Sequence, residues 1–557
     1  MIALRFRTTI YLVAAAATGL SITSADARAS TTAWSPTVQG EALSPRQHGV
    51  AAAAPLVTPS RAAATKPHRS RRPGYKPNPT RPSVRLASKP TGSRKAAAPS
   101  WGRSEGAGEL AARLSTALAG RTRTGRWGAV VISLTKGDTL FEQNADGPMA
   151  PASTMKMYTS SMALDRFGPD FVFKTPVLRD GTISPDGVLT GSLYLRGVGD
   201  PSLSSRFWKG DTPMNALARQ IAQTGIRRVR GDVVGDASAF DSRTIPDGWK
   251  KSYLGAAYAA RVSALSLNEN LVWVVVQPDE KVAAVTLDPA TTAIPIQNLV
   301  RITNGSGGSI RAARQSDGSI IVKGSIGNRS APRRYSMVVD DPALFTTGAL
   351  RAALEHAGVT IDGATRLGVT PSVATTVAVV ASPPLGQIVG EMNRESINIV
   401  AELLFRSAAA TPSQIGSAET GLSTLRTFLS DKVHARSDLV SVSDGSGLSE
   451  LDRITARSMV ELLSYAHASA WSSVFHASLP VEGESGTLKR RKGTPARGNL
   501  HAKTGTTNNV ASLGGFVTAR NGEVLAFSFI YNGSDRWNAK SAMDTMGATL
   551  AEFSRAR

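Results

Sequence analysis

Apolar positions along the chain alternate between two textures. Near the N-terminal side, GELAARLSTALAG (108–120) places Leu110, Leu114 and Leu118 one helical turn apart, which predicts a helix. RWGAVVISL reads as a strand, KGD as a turn and TLFEQN as a second strand. The segment 153–166 follows, with Met155, Met157, Ala163 and Leu164 as its buried positions, and predicts a helix starting close to Ser153. From about 170 to 340 the texture changes. Short β-rich pieces (VLTGSLYLRGVGD, RVRGDVVGD, LVWVVVQP, SIIVKGSI) are separated by Gly, Asp and Pro, with no repeat of fixed period. Helical patterning returns in ALRAALEHAG and in LGQIVGEMNRESINIVAELLFRSA. Late in the chain GNLHAKTGT, ASLGGFVTAR and EVLAFSFIYN read as strands, with Asn521-Gly522 marking a hairpin between the last two. SAMDTMGATLAEFSRA closes the pattern as an amphipathic helix.

A start of two strands and a helix, and an end of a hairpin and a helix, can pair into one sheet. The expected fold is therefore α/β (α+β), an antiparallel sheet flanked by helices with β-rich insertions. The expected division is a catalytic domain in two parts, 105–190 and 341–557, around an inserted β-rich region at 191–340. A length of 557 residues, which suggests about three domains, agrees with this division.

Charge changes the picture only at one end. The net charge is +22, yet residues 61–100 hold eleven Lys or Arg and no Asp or Glu. Residues 30–104, rich in Ala, Pro, Ser, Thr, Arg and Lys, read as a disordered basic linker. Such a linker is a solvated spacer, or binds anionic envelope polymers or lipid head groups through residues 61–100. Ahead of it, Arg5 and Arg7 precede an apolar run over 10–22 and then SADARAS, with small residues at Ala27 and Ala29. That layout predicts a cleaved signal peptide at 1–29 and export to the periplasm or cell-wall space, where nucleic acid is not an expected partner. The run is short for a membrane-spanning helix. The absence of cysteine removes disulfides, thiol nucleophiles and Cys-based metal sites. The seven histidines show no His-Glu-x-x-His spacing, so they read as surface or packing residues and no metal is expected.

Three short elements could carry chemistry. Ser153 and Lys156, at i and i+3, share a helix face, so the amine can reach the hydroxyl. A lysine acts as a base only when neutral, which needs burial or a neighbouring cation. Met155 and Met157 offer apolar surroundings, and Lys503 is the first candidate for the cation. Alone, Ser-x-x-Lys recurs roughly once or twice by chance in a chain of this size. Lys503-Thr504-Gly505 is rarer, with about 0.1 copies expected. On a strand it offers a cation and a hydroxyl for a carboxylate, and a glycine against which a ligand can lie. Alone it reads equally as an ordinary strand end. Ser396 and Asn398 stand just before the helical run IVAELL, where capping explains them as well as catalysis does.

The three elements in this order resemble the Ser-x-x-Lys, Ser-x-Asn and Lys-Thr-Gly series of penicillin-binding proteins and β-lactamases. The long gap between Ser153 and Ser396 narrows the resemblance. It points to the D-alanyl-D-alanine carboxypeptidase/endopeptidase family of class C low-molecular-mass penicillin-binding proteins, peptidase family S13. Further stretches similar to that family are GVGDPSL (197–203), SALSLNEN (263–270), SDGSGLS (443–449) and LPVEGESGTL (479–488), so the likeness spans roughly 105–555. Ile397 stands where the family more often has Asp, and Thr507 stands where it usually has an apolar residue, a departure that bears on side-chain preference.

The resemblance implies a transpeptidase-like domain whose substrates are peptidoglycan stem peptides and whose inhibitors are β-lactam antibiotics. It implies Ser153 as nucleophile, Lys156 as its base and Ser396 as a proton relay held by Lys503. Asn398 would hold the acyl peptide's amide. Thr504, Thr506 and Lys503 would bind the terminal carboxylate, and the backbone N–H groups of Ser153 and Thr506 would form the oxyanion hole. Three other readings compete: a β-lactamase or esterase on the same fold, a non-catalytic wall-binding protein, and a Ser-His-Asp hydrolase. The last lacks its Gly-x-Ser-x-Gly elbow.

Overall fold

The computed structural model describes residues 101–122, 124–280 and 282–556. The expected leader, and the linker up to residue 100, lie outside the described residues. None of the described helices is long and apolar enough to cross a membrane.

A six-stranded sheet joins the two ends of the described chain. Its order is Gly102–Arg103, Asp138–Gln143, Arg126–Ser133, Val524–Asn532, Val510–Thr518 and His501–Thr507. All its pairings are antiparallel except the first. The strand Arg126–Ser133 is buried along nearly its whole length. A strand covered on both faces loses the alternation of polar and apolar residues, and RWGAVVIS reads that way. Val130 and Ile132 face one core, packed by the helices Met155–Phe167, Leu385–Glu395, Asn398–Ala409 and Ala456–Ala468. Ala129 and Val131 face the other, packed by Gly108–Arg121 and Arg536–Glu552. The Asn521-Gly522 turn closes the last hairpin with Gly522 at φ +85° and the Ala519 amide bonded to the Glu523 carbonyl. It is a three-residue loop, wider than the two-residue turn the dipeptide suggests.

The middle of the chain has its own hydrophobic core. One sheet there runs in the order Thr365–Leu367, Val233–Asp236, Leu193–Arg196, Lys174–Arg179 and Thr375–Ala381. The helix Pro342–His356 buries Phe345, Leu350 and Leu354 in that same core. The strands that share this region therefore run from Lys174 to Ala381, wider on both sides than the expected 191–340. Periodicity shows that the helix has an apolar face, but not which core receives it.

Candidate active site

Ser153 lies in one turn of 3-10 helix, Ala152–Thr154, which runs straight into the helix Met155–Phe167. Ala152 has φ +48°, a left-handed conformation that a residue with a Cβ holds only under constraint. The constraint is visible. The Thr154 and Ser512 hydroxyls both donate to the Pro151 carbonyl, at 2.8 and 2.6 Å, and tie the turn to the strand Val510–Thr518. Gly505 permits this approach. A Cβ there would lie 2.1 Å from Ser512 Oγ and 3.0 Å from the Ser153 amide nitrogen. The missing side chain thus serves the contact between strand and nucleophile turn. It faces the protein, where the sequence suggested room for a ligand.

One turn on, Lys156 is fully buried. Its Nζ is 3.0 Å from Ser153 Oγ, 2.6 Å from Asn398 Oδ1 and 2.8 Å from the Ser446 carbonyl oxygen. A neutral amine has two N–H donors and one lone pair. Two acceptors and one hydroxyl are its complement, so this shell suits the neutral form with its lone pair on Ser153. Burial pushes Lys156 down from 10.5 to about 8, against the opposing charges of Asp444, Glu402 and Asp452. Burial, rather than a neighbouring cation, is therefore what favours the base form. Lys503 is also fully buried, and burial together with the charge of Lys156 holds it well below the usual range.

Ser396 and Asn398 are brought to the same place by a break between helices. Ser396 caps Leu385–Glu395 in the left-handed region, at φ +60° and ψ +42°, and Asn398 opens the next helix. On a continuous helix, positions i and i+2 would diverge by about 200°. The break lets both line one cleft. Lys503 Nζ donates to Ser396 Oγ at 2.9 Å and to the Thr504 carbonyl at 3.0 Å. Asn398 Nδ2 donates to the Tyr258 carbonyl at 2.7 Å, which turns its Oδ1 toward Lys156.

The cleft, about 320 Å³, is lined by Ser153, Ser396, Asn398, Thr506, Tyr258 and Arg536, among others. Thr506 is exposed on it. Lys503 reaches it only through Ser396. The Thr504 hydroxyl is taken up by Thr487 Oγ1 at 2.7 Å. Sequence reasoning missed Ser446 and the residue that places it. Asp444 accepts from the backbone amides of Ser446 (3.0 Å), Gly447 (2.6 Å) and Ser449 (2.7 Å), and from the Trp249 indole (2.8 Å). These bonds fix the loop that aims the Ser446 carbonyl at Lys156. The signal was an Asp heading a Ser/Gly run in SDGSGLS, a composition that favours side-chain-closed turns. No group of three or more His, Cys, Asp or Glu suited to a metal ion occurs among the described residues.

Comparison with known proteins bears on the family and the fold. The D-Ala-D-Ala carboxypeptidase 3 (S13) family model matches residues 110–553. A D-alanyl-D-alanine carboxypeptidase of Actinomadura sp. is 33% identical over 447 residues, covering 76% of this chain and 81% of that protein. The D-alanyl-D-alanine carboxypeptidase DacB of Haemophilus influenzae is 25% identical over 437 residues, covering 77% and 89%. The crystal structure of penicillin-binding protein 4 from Haemophilus influenzae shares the fold, with a TM-score of 0.66 at 23% identity over 78% of this chain and 98% of that one. The chain belongs to the D-Ala-D-Ala carboxypeptidase 3 (S13) family.

Proposed function

We propose that this chain hydrolyses the D-Ala-D-Ala bond of peptidoglycan stem peptides through an acyl-enzyme on Ser153, and that β-lactams acylate the same oxygen. The observation that carries the assignment is the shell around Lys156: one hydroxyl, two acceptors and no solvent. Lys156 takes the Ser153 proton as Oγ attacks the scissile carbonyl. The Ser153 and Thr506 amides receive the developing oxyanion, each lowering the barrier by about 3 kcal/mol. Ser396, held by Lys503, delivers its hydroxyl proton to the departing D-Ala amine and regains the one Lys156 took up, which leaves Lys156 neutral again. Asn398 holds the acyl peptide, and Thr506 offers a hydroxyl to the terminal carboxylate, with Thr504 and Lys503 behind it on the same strand. Water then releases the shortened peptide. No step calls for a metal or cofactor.

The N-terminal pattern supports export to the periplasm or cell-wall space, with residues 61–100 free to bind anionic envelope polymers or lipid head groups. Incubating the mature protein with a pentapeptide and with cross-linked dimer muropeptides tests the reading. Release of D-Ala from the first marks a carboxypeptidase, and splitting of the second an endopeptidase. Ser153→Ala abolishes both, together with covalent labelling by a fluorescent penicillin. Labelling that survives this substitution removes Ser153 as the nucleophile.

A further inference from the structure

Two stretches singled out in the sequence, 197–203 and 263–270, contribute no residue to the wall of the catalytic cleft. They meet where the Asn268 amide donates to the Leu203 carbonyl at 2.7 Å, at the wall of a second cavity of about 430 Å³ in the inserted region. That volume falls within the range of small-molecule sites. Ser204, Asn268, Trp273, Asp288, Arg334 and Ala352 are among its walls.

Two features of the wall describe what would fit, beside its polar side chains Ser205, Thr212, Asn215 and Asn268. The two carboxylates on the wall are already paired: Asp288 with Arg334 at 2.5 Å, and Asp211 with Arg219. The wall thus offers no free carboxylate or guanidinium, and its one further ionisable side chain is His356, which favours a ligand without strong charge. The half-buried Trp273 ring is packed by Arg334, whose guanidinium carbon is 5.3 Å from the ring centroid. A flat apolar ring fringed by hydroxyl and amide groups suits a sugar, whose ring presents C–H bonds on its face and hydroxyls at its edge.

The wall is also held stiffly. Asn268, Glu269 and Asn270 have φ of +52°, +58° and +56°, three successive left-handed residues that persist only where the surroundings fix them. Arg206 pairs with Glu269 at 2.8 Å and with Glu391 at 3.9 Å. Glu391 lies on the helix that ends at Ser396, so wall and catalytic helix share a frame.

We infer that this cavity is a subsite for a neutral sugar unit of the glycan strand that carries the stem peptides. The inference rests on the proposed substrate. Titration of the full chain with a β-1,4-linked N-acetylglucosamine tetramer by calorimetry tests it without any catalytic step. Binding that weakens tenfold or more in Trp273→Ala and in Ala352→Leu, which fills the cavity, is the expected result. Thermal melting checks that each variant is folded, and if one is not, the other decides. No heat at millimolar tetramer, or equal affinity in the folded variants, overturns the inference. Failure of the proposed function is read elsewhere, as absent D-Ala release from free pentapeptide.

Discussion

Raising the pH from 6 to 9 should accelerate acylation of Ser153 steeply and then level off. With Lys156 at about 8, the free-amine fraction is about 1% at pH 6, about 9% at pH 7 and about 90% at pH 9. The second-order rate of acylation should therefore rise about tenfold per pH unit at first and roughly 90-fold in all. Had the amine kept its ordinary 10.5, the free fraction at pH 7 would be about 300-fold smaller and the rate would still be climbing at pH 10. The acids around Lys156 give the control. Asp444 is the strongest charge opposing the base form, so Asp444→Asn should move the inflection to lower pH, whatever it does to the plateau. Glu402, pushed up to about 7 by burial and by Asp444, gains its charge in the same window and draws the Lys156 inflection upward. Glu402→Gln should remove that pull. The assay is the rate of labelling by a fluorescent penicillin across the range, with melting followed at each pH. A flat profile, an inflection near 10.5, or an upward shift in Asp444→Asn would refute Lys156 as the base.

Lys156→Met should slow acylation by roughly 10²- to 10⁴-fold while leaving non-covalent binding of the β-lactam in place, measured by rapid mixing and by calorimetry. Gly505→Ala forces a Cβ against Ser512 Oγ and the Ser153 amide, and should cost about 1–3 kcal/mol of stability together with most of the labelling. A stable, fully labelled alanine variant would contradict that account of the glycine. Arg555 ties Asp138 (2.7 Å) and Glu523 (2.8 Å) together beside the first strands of the sheet, and Arg555→Ala should cost on the order of 2 kcal/mol by denaturant melts at pH 7. Burial raises Glu523, but bonds from Arg555, Ser133 and Asn521 outweigh it and hold this carboxylate below its usual range. Its contribution is present above about pH 4.5 and fades as the pH falls through the folded-state value, so the gap between wild type and Arg555→Ala should narrow in acid.

The parts of the molecule legible in the sequence are those where local pattern and long-range pairing agree. The strands 126–133, 138–143, 510–518 and 524–532 announce themselves as short apolar runs between turn signals and the helix after Ser153 by its buried positions, and their order along the chain implies the shared sheet. Ser153, Lys156, Ser396, Asn398 and Lys503 were legible as a set because their three elements, each ambiguous alone, stand in the order of a known motif series. What was not legible depends on direction in space. The face toward which Gly505 lacks a side chain follows from how closely one strand meets one turn. The core that receives Pro342–His356 follows from tertiary packing, and an amphipathic stripe is silent on that point. Asp444 escaped notice because its work is done through the backbone of its own loop. Of the two sources of the Lys156 shift weighed from the sequence, burial prevails; it is a property of the whole surround, whereas a second lysine is visible as a letter.

The order of strands in the central sheet has a consequence for how the enzyme comes into being. Arg126–Ser133 pairs with Val524–Asn532, which pairs with Val510–Thr518, which alone carries the strand of Lys503. Within the described sheet, the nucleophile's half and the Lys503 half are therefore joined through Val524–Asn532, the last described strand in chain order. Until that strand arrives, Ser153 lacks the hydroxyl of Ser512 that steadies its turn, and Ser396 lacks its lysine. A chain that has not yet placed its C-terminal hairpin is thus without an assembled site, however well its middle region has folded. Competence arrives in one step, with the C-terminal hairpin. The closing of so long a loop makes that step the slow one.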